Sequence, residues 1–151
     1  MENYEKAHEC RLLDIDVLLA GQNQRGTAAA HLGGTAVECR LKTLVLKYHQ
    51  ISAWNEQSKR RKDSKFGMPI PRTGHGLIGA VRLMQDLYAK AKADPLFLKH
   101  LNNVTYPAGQ TDTDFIALRY SARNLEGASL QQWHNSLKYV LGWLNKNEAF
   151  L

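Results

Sequence analysis

Apolar residues recur every three or four positions along several segments of this chain, which is the spacing of one face of an α-helix. The clearest run has successive spacings of 4, 3, 4, 3 and 4: Ala30, Gly34, Val37, Leu41, Leu44 and Tyr48. No segment shows the strict alternation of apolar and polar residues that is typical of a half-buried strand. The pattern therefore predicts an all-α fold whose second helix runs through the middle.

Residues at the ends of the periodic segments indicate where the helices begin and stop. The spacing predicts helices over residues 3–20, 27–50, 77–91 and 95–106 and from residue 129 onward. Gly21 is placed to terminate the first helix, and Asp94 followed by Pro95 is a favourable start for the fourth. Ser129 and Gln132 have the spacing of a capping box at the start of the last. The first helix is expected to bury this stripe: Cys10, Leu13, Val17 and Ala20.

The apolar face of each predicted helix must be covered by another helix, which favours an up-and-down bundle of four to five helices. We interpret residues 1–151 as one such domain, with irregular segments near residues 51–76 and 108–128. Gly33, Gly34 and Ala36 are small enough to let a neighbour approach the second helix closely. The simplest interpretation of these small residues is tight packing.

Composition narrows the class of protein only slightly. The chain has 20 basic and 14 acidic residues, a net charge of +6 that mildly favours an anionic partner. Cys10 and Cys39 lie outside any spacing that suggests zinc, so we expect neither a metal nor a cofactor. No apolar run approaches the ~20 residues that span a bilayer, and the N-terminus lacks signal-peptide features. We expect no membrane association and a cytoplasmic location.

A run of four basic residues lies in the first irregular segment: Lys59, Arg60, Arg61 and Lys62. Such a run can neutralise phosphates, and the nearby aromatic rings of Trp54 and Phe66 can stack on exposed bases. It is a candidate nucleic-acid-binding segment. The alternative interpretation is a solvated group of charges in a loop.

Three short motifs follow one another between residues 14 and 144. A helix of small residues ends in AVECRLKTLVLKY, an irregular segment leads into GHGLIGAVRLM, and Arg119 and Tyr120 precede the last amphipathic helix. Their order resembles that of the HEPN domain, a helical bundle associated with nucleotides and RNA in bacteria and eukaryotes. The most specific part of the match lies at residues 36–42. The resemblance implies a HEPN-like bundle over most of the chain.

HEPN domains include both enzymes and binding modules. The resemblance implies either a metal-independent ribonuclease, with an Arg and a His roughly four to six residues apart at a homodimer interface, or a binding module often found beside a nucleotidyltransferase. Here His134 lies eleven positions after Arg123, which departs from the catalytic spacing. Arg25 and His31 have five residues between them, but at the opposite end of the topology, where we interpret the match as chance.

Two histidines and one arginine are weak catalytic candidates, because RNA cleavage without metal needs a base for the 2′-hydroxyl and a cation for the phosphorane. His75 lies at a glycine-flanked helix start, where the helix dipole favours an anion; its alternative role is to cap or pack that helix. His134 lies about 60° from the apolar stripe of the last helix, at an expected packing border. Arg123 is the arginine considered with it.

Glu38 lies beside the buried stripe of the second helix and therefore needs a cationic partner. Lys42, one turn later, is one candidate. The resemblance implies that the segment with Arg119 and Tyr120 folds back over the bundle, so Arg119 is the other. We expect an ion pair between Glu38 and Arg119 to fix the long segment. The alternative is that these residues line a ligand pocket.

These observations favour a HEPN-like homodimer that acts as a nucleotide-binding or RNA-binding module without a complete nuclease site. One alternative is a toxin-like ribonuclease that uses His75 or His134 with a nearby arginine. The other is a protein-binding partner subunit of a nucleotidyltransferase. The first alternative predicts RNA cleavage without added metal, and the second predicts a stable complex with no affinity for RNA.

Overall fold

The computed structural model describes residues 2–151, and its architecture is all-α, as the periodicity predicts. The six α-helices are α1 (Tyr4–Leu19), α2 (Gly26–His49), α3 (Leu77–Arg82), α4 (Gln85–Lys92), α5 (Pro95–Thr105) and α6 (Gly127–Asn147). Two 3₁₀ turns lie at Ala117–Tyr120 and Glu148–Phe150. Across residues 2–151 the only β-type pairing is an isolated antiparallel bridge between Gln57 and Pro69. The chain folds as a helical bundle.

Helix α2 is the centre of the bundle, as its stripe of apolar and small residues predicts. It packs against α1, α3, α5, α6 and the first 3₁₀ turn. Every residue of the predicted stripe is buried, and Val37, Leu41 and Leu44 have no exposed surface. Burying each leucine-sized side chain contributes about 1.5–3 kcal/mol. The stripe is therefore the main source of stability along α2.

Helix α1 packs antiparallel to α2, but with a different face from the predicted one. Leu13 and Val17 are 66% and 76% exposed, so the predicted stripe is wrong. The buried side of α1 follows another 3–4 spacing, which includes polar residues: Tyr4, His8, Arg11, Ile15 and Leu18. His8 Nδ1 lies 2.8 Å from the carbonyl oxygen of Ala36, which makes its burial favourable. The hydrophobic pattern could not show a packing face that contains two basic side chains.

The predicted third helix is two helices, because the chain breaks at Leu83 and Met84. Both side chains are buried, and Met84 has an extended backbone. The break exposes the Leu83 carbonyl to His49, whose Nε2 lies 2.6 Å away. The backbone N–H of Asp86 donates to the Tyr48 hydroxyl at 3.4 Å. The end of α2 thus provides the hydrogen bonds that a continuous helix would have made internally.

Two of the three predicted helix boundaries are confirmed. Gly21 has a φ of +75° directly after the end of α1, and the Asp94 side chain accepts the N–H of Phe97 at the start of α5. The capping box at Ser129 is wrong, since α6 begins at Gly127 without a side-chain cap. The start is set by a tertiary contact, because the N–H of Leu125 donates to Thr27 Oγ1 at 2.7 Å.

Both cysteines are free and half-buried. Burial raises the pKa of the Cys39 thiol, which therefore stays protonated at neutral pH. Across residues 2–151, no three side chains of His, Cys, Asp or Glu are grouped so that they could hold a metal ion together. None of the helices in this range is both long and apolar enough to cross a bilayer.

Three glycines on α2 let other parts of the chain reach the helix backbone. A Cβ atom at Gly33 would overlap the Trp133 ring of α6, and one at Gly34 would overlap the Phe115 ring. At Gly26 it would overlap the carbonyl oxygen of Leu125. Close approach is therefore a packing requirement at Gly33 and Gly34, as predicted, and it extends to Gly26.

Replacing Gly34 should destabilise the fold. We expect Gly34→Ala to lower the free energy of unfolding by roughly 1–3 kcal/mol or more, because the buried Phe115 ring would have to move. The matched control is Gly142→Ala on α6, where a Cβ meets nothing within 4 Å and the helix should gain about 0.5–1 kcal/mol. Urea denaturation of both variants measures the difference. Equal stabilities would contradict the packing described.

Candidate functional site

The segment 115–125 is fixed across the N-terminal end of α2 by hydrogen bonds. Thr27 Oγ1 donates to the carbonyl of Arg123 at 2.6 Å. The side chain of Asn124 accepts the N–H of Thr27 at 3.4 Å and donates to the carbonyl of Gln24 at 3.1 Å. These contacts place the segment so that its arginines lie beside the first turns of α2.

A cavity of about 320 Å³ lies between these two parts of the chain, and its wall includes four basic side chains. We call it the arginine pocket and define it by Arg25, His31, Arg119 and Arg123. In the described part of the chain, none of the three guanidinium groups has a carboxylate within 4 Å. None of the described residues lining the pocket is Asp or Glu. The pocket therefore has three uncompensated positive charges.

The orientation of His31 is fixed by the backbone of the same segment. Its Nδ1 lies 2.8 Å from the carbonyl oxygen of Phe115. A carbonyl can only accept, so Nδ1 carries the proton and Nε2 has a free lone pair when the ring is neutral. His31 is thus an oriented base beside three arginines.

A second cavity of about 540 Å³ adjoins the arginine pocket and shares Arg123 and Asn124 with it. We call it the amide groove and define it by five residues of α5, α6 and the segment between them: Asn103, Tyr106, Gln110, Gln132 and Trp133. Its lining also includes the acidic residue Glu126 and several apolar residues. The two cavities adjoin each other, and the three arginines lie at one end of the pair.

The predicted ion pair between Glu38 and Arg119 is wrong. The Glu38 carboxylate is nearly buried and is occupied by Lys42 Nζ at 2.6 Å and His75 Nδ1 at 2.9 Å. Arg119 lies in the arginine pocket, where its guanidinium carbon is 4.7 Å from the ring centre of Tyr120. Because Glu38 is about 10 Å further along α2 than His31, it serves a different part of the bundle.

Glu38, Lys42 and His75 form a cluster that joins α2 to the start of α3. The contact assigns the proton of His75 to Nδ1, since a carboxylate accepts. His75 itself is exposed, with 58% of its side chain accessible. This geometry favours the packing role considered for His75, in which the long segment before α3 is held against α2.

The basic run is divided between solvent and the protein interior. Lys59, Arg61 and Lys62 are exposed, whereas Arg60 lies 3.6 Å above the ring of Tyr48 and pairs with Asp86. Arg60 is thus occupied by contacts within the protein.

The aromatic residues expected beside the basic run differ in exposure. Trp54 is buried, and its indole N–H donates to the Tyr4 hydroxyl at 3.2 Å, so its ring is not available to stack on bases. Phe66 is half-exposed and keeps a free face. The run therefore offers three cations and one aromatic ring to solvent.

His134 and Arg123 lie in different surroundings. Arg123 contributes to both cavities, while His134 is not among the residues that line either one. His134 is partly buried at the packing border, as predicted. Burial, together with the charge of Lys138, lowers the pKa of His134, so the ring is neutral at pH 7 and is a poor proton donor.

The arrangement of the arginine pocket was not anticipated from the sequence. The sequence favours other roles for Arg119 and Arg123, and the loose spacing of Arg25 and His31 is common enough to arise by chance. The structure brings all four residues to one cavity. His31 and Leu118 both line this cavity, although 86 residues lie between them in the sequence. The only signal in the sequence was the spacing between Arg25 and His31.

Compared with models of protein families, with curated proteins and with solved structures, the chain matches none of them.

The pKa of His134 should respond to Lys138. We expect His134 to titrate below its ordinary value, and Lys138→Gln to raise that pKa by removing a nearby positive charge. The sign for stability follows: since the folded state binds this proton less readily, the contribution of His134 is present above the ordinary pKa and is lost as pH falls. NMR titration of the His134 imidazole measures its pKa in the original chain and in Lys138→Gln. Lys146→Gln on the same helix is the control, and an unchanged pKa in Lys138→Gln would contradict the assignment.

Proposed function

We propose that this protein is a binding module for phosphate groups of nucleotides or RNA, and that the arginine pocket is the site. The observation that carries the proposal is the convergence of three arginines without carboxylate partners on one cavity. Arg25, Arg119 and Arg123 are themselves exposed, and they lie on a cavity without an acidic residue in its described lining, unlike Lys42, which pairs with Glu38. A bound anion would supply the negative charge that the protein itself does not provide in this pocket.

The chemistry of the pocket favours phosphate over other anions. Guanidinium groups bind phosphate oxygens in bidentate fashion, and three of them match a group with several equatorial oxygens. Arg25 also lies at the N-cap of α2, where the helix dipole adds a partial positive charge. The net charge of +6 supports attraction of a polyanion over longer distances.

The exposed ring of Tyr120 favours a nucleotide or RNA over inorganic phosphate as the ligand of the pocket. Its ring is 80% exposed beside Arg119, so one face is free to stack on a base. A pocket for phosphate next to an exposed aromatic ring is the arrangement that single-stranded nucleic acid recognition uses. The proposal agrees with what the resemblance to HEPN domains implies.

Removing one pocket arginine should weaken RNA binding. We expect Arg119→Ala or Arg123→Ala to lower affinity for single-stranded RNA by about 10–100-fold, because each removes charge-assisted hydrogen bonds to phosphate. Fluorescence anisotropy with a labelled oligonucleotide, at several salt concentrations, measures the loss. Both variants should also show a shallower salt dependence than the original chain.

The matched control for this test is Arg82→Ala. Arg82 is an exposed arginine on α3 without a carboxylate partner, so the variant has the same net charge as the pocket variants. It should bind RNA as the original chain does. Equal losses in Arg82→Ala and Arg119→Ala would mean that only overall charge matters and would contradict a defined site.

His31 favours a second candidate function, metal-independent RNA cleavage. Its neutral Nε2 is placed to take a proton from a 2′-hydroxyl, while the arginines stabilise the charge on phosphorus as the 2′-oxygen attacks and the 5′-oxygen leaves. The proton taken by Nε2 would pass to the leaving 5′-oxygen, so the products would be a 2′,3′-cyclic phosphate and a 5′-hydroxyl. This candidate assigns the base to His31 instead of His75 or His134.

The ribonuclease candidate predicts a specific loss of activity. If the chain cleaves RNA in the presence of EDTA, His31→Ala should reduce the rate by about 10²–10⁴-fold, the usual range for a general base. His134→Ala should cleave at the original rate. Cleavage that persists in His31→Ala, or that requires added metal, would rule out this candidate and leave the binding function as the proposal.

A further inference from the structure

The amide groove contains a buried hydrogen-bond donor that the protein does not satisfy. Trp133 is 1% exposed, and in the described chain its indole Nε1 has no acceptor. A buried N–H without a partner costs about 1–3 kcal/mol, and most such groups in proteins are paired. Trp133 is among the residues that line the groove, which places this unpaired donor next to the cavity.

Apart from Glu126 and Arg123, the polar side chains that line the groove are neutral. Asn103 uses its Nδ2 to donate to Ser136 Oγ at 3.1 Å, which leaves its Oδ1 as the available acceptor. The amide of Gln132 and the hydroxyl of Tyr106 have no hydrogen bond to other described residues. A neutral ring with both acceptors and N–H donors on its edge fits these groups, as the edge of a nucleobase does.

The position of Arg123 connects the groove to the phosphate site. Arg123 lines both cavities, so a phosphate that it binds has its attached sugar at the end of the amide groove. The groove volume of about 540 Å³ lies within the roughly 300–1,000 Å³ of ligand pockets and exceeds that of the arginine pocket. The larger, neutral part of the ligand therefore belongs in the groove.

We infer that the amide groove is a nucleobase subsite, and that the ligand of the whole surface is a nucleoside phosphate unit. This inference rests on the proposed function, because Arg123 must hold the phosphate. Two ligands contain such a unit: a free mononucleotide and the end of a single-stranded RNA. The base lies between the amides of Asn103 and Gln132, and one of its acceptor atoms receives the N–H of Trp133.

The test compares nucleotides with phosphate compounds that lack the base. Isothermal titration of the full chain with each of the four ribonucleoside 5′-monophosphates, ribose 5-phosphate and inorganic phosphate gives the affinities. We expect at least one nucleotide to bind about tenfold or more tightly than ribose 5-phosphate. RNA oligonucleotides with a 5′-phosphate, a 3′-phosphate or neither then distinguish a free nucleotide from an RNA end as the source.

Variants of the groove locate the effect. Gln132→Ala should remove the advantage of the nucleotide over ribose 5-phosphate, whereas Gln131→Ala, the neighbouring glutamine outside the groove, should keep it. Trp133→Phe keeps an aromatic ring of similar shape but lacks the N–H, so it should also reduce the advantage. If Trp133→Phe does not fold, Gln132→Ala and Gln131→Ala still decide the question.

Three results would overturn the inference. Equal affinity for nucleotides and ribose 5-phosphate, abolished by Arg123→Ala, would leave the phosphate site intact and exclude a base subsite. A nucleotide advantage that survives both Gln132→Ala and Trp133→Phe would place the base outside the groove. Absence of binding by any phosphate compound or RNA would remove the proposed function and this inference together.

Discussion

The close approach of other segments to the backbone of α2 is the constraint on which the bundle and its cavities depend. Gly26, Gly33 and Gly34 lack the atom that would collide with Leu125, Trp133 and Phe115, respectively. The irregular segment 115–125 therefore lies directly on the helix, where it is bonded to Thr27 and His31. With larger residues at these positions, the two walls of the arginine pocket would be forced apart.

Histidine side chains make several of the hydrogen bonds that join separate elements. Three of the six donate a ring N–H to a backbone carbonyl on another part of the chain: His8 to Ala36, His31 to Phe115 and His49 to Leu83. Each bond satisfies a carbonyl where an irregular segment or a neighbouring helix meets the bundle, which limits the cost of burying a polar group. His8 and His49 thus have structural roles, and His31 combines such a role with a place in the pocket.

Ion pairs are unevenly distributed over the molecule. Acidic residues beside the middle and the C-terminal part of α2 are matched by cations of that helix, as Glu38 is by Lys42 and Glu148 is by Lys47 at 3.0 Å. At the N-terminal end of α2 the arginines have no such partners among the residues described. The net charge of +6 is small, so the grouping of three arginines at one cavity contributes more to attraction of an anion there than the total charge does.

The sequence by itself determined the helical class, the central position of α2 and the start of α5. The first two features follow from hydrophobic periodicity, and the start of α5 follows from Asp94 and Pro95. All of these signals act between residues that are close in the sequence. The tertiary structure decided the packing face of α1, the break before Met84, the partner of Glu38 and the assembly of the pocket. Each of these depends on contacts between residues far apart in the chain, such as Thr27 with Arg123, and local patterns contain no information about which distant side chain satisfies a charge or a carbonyl.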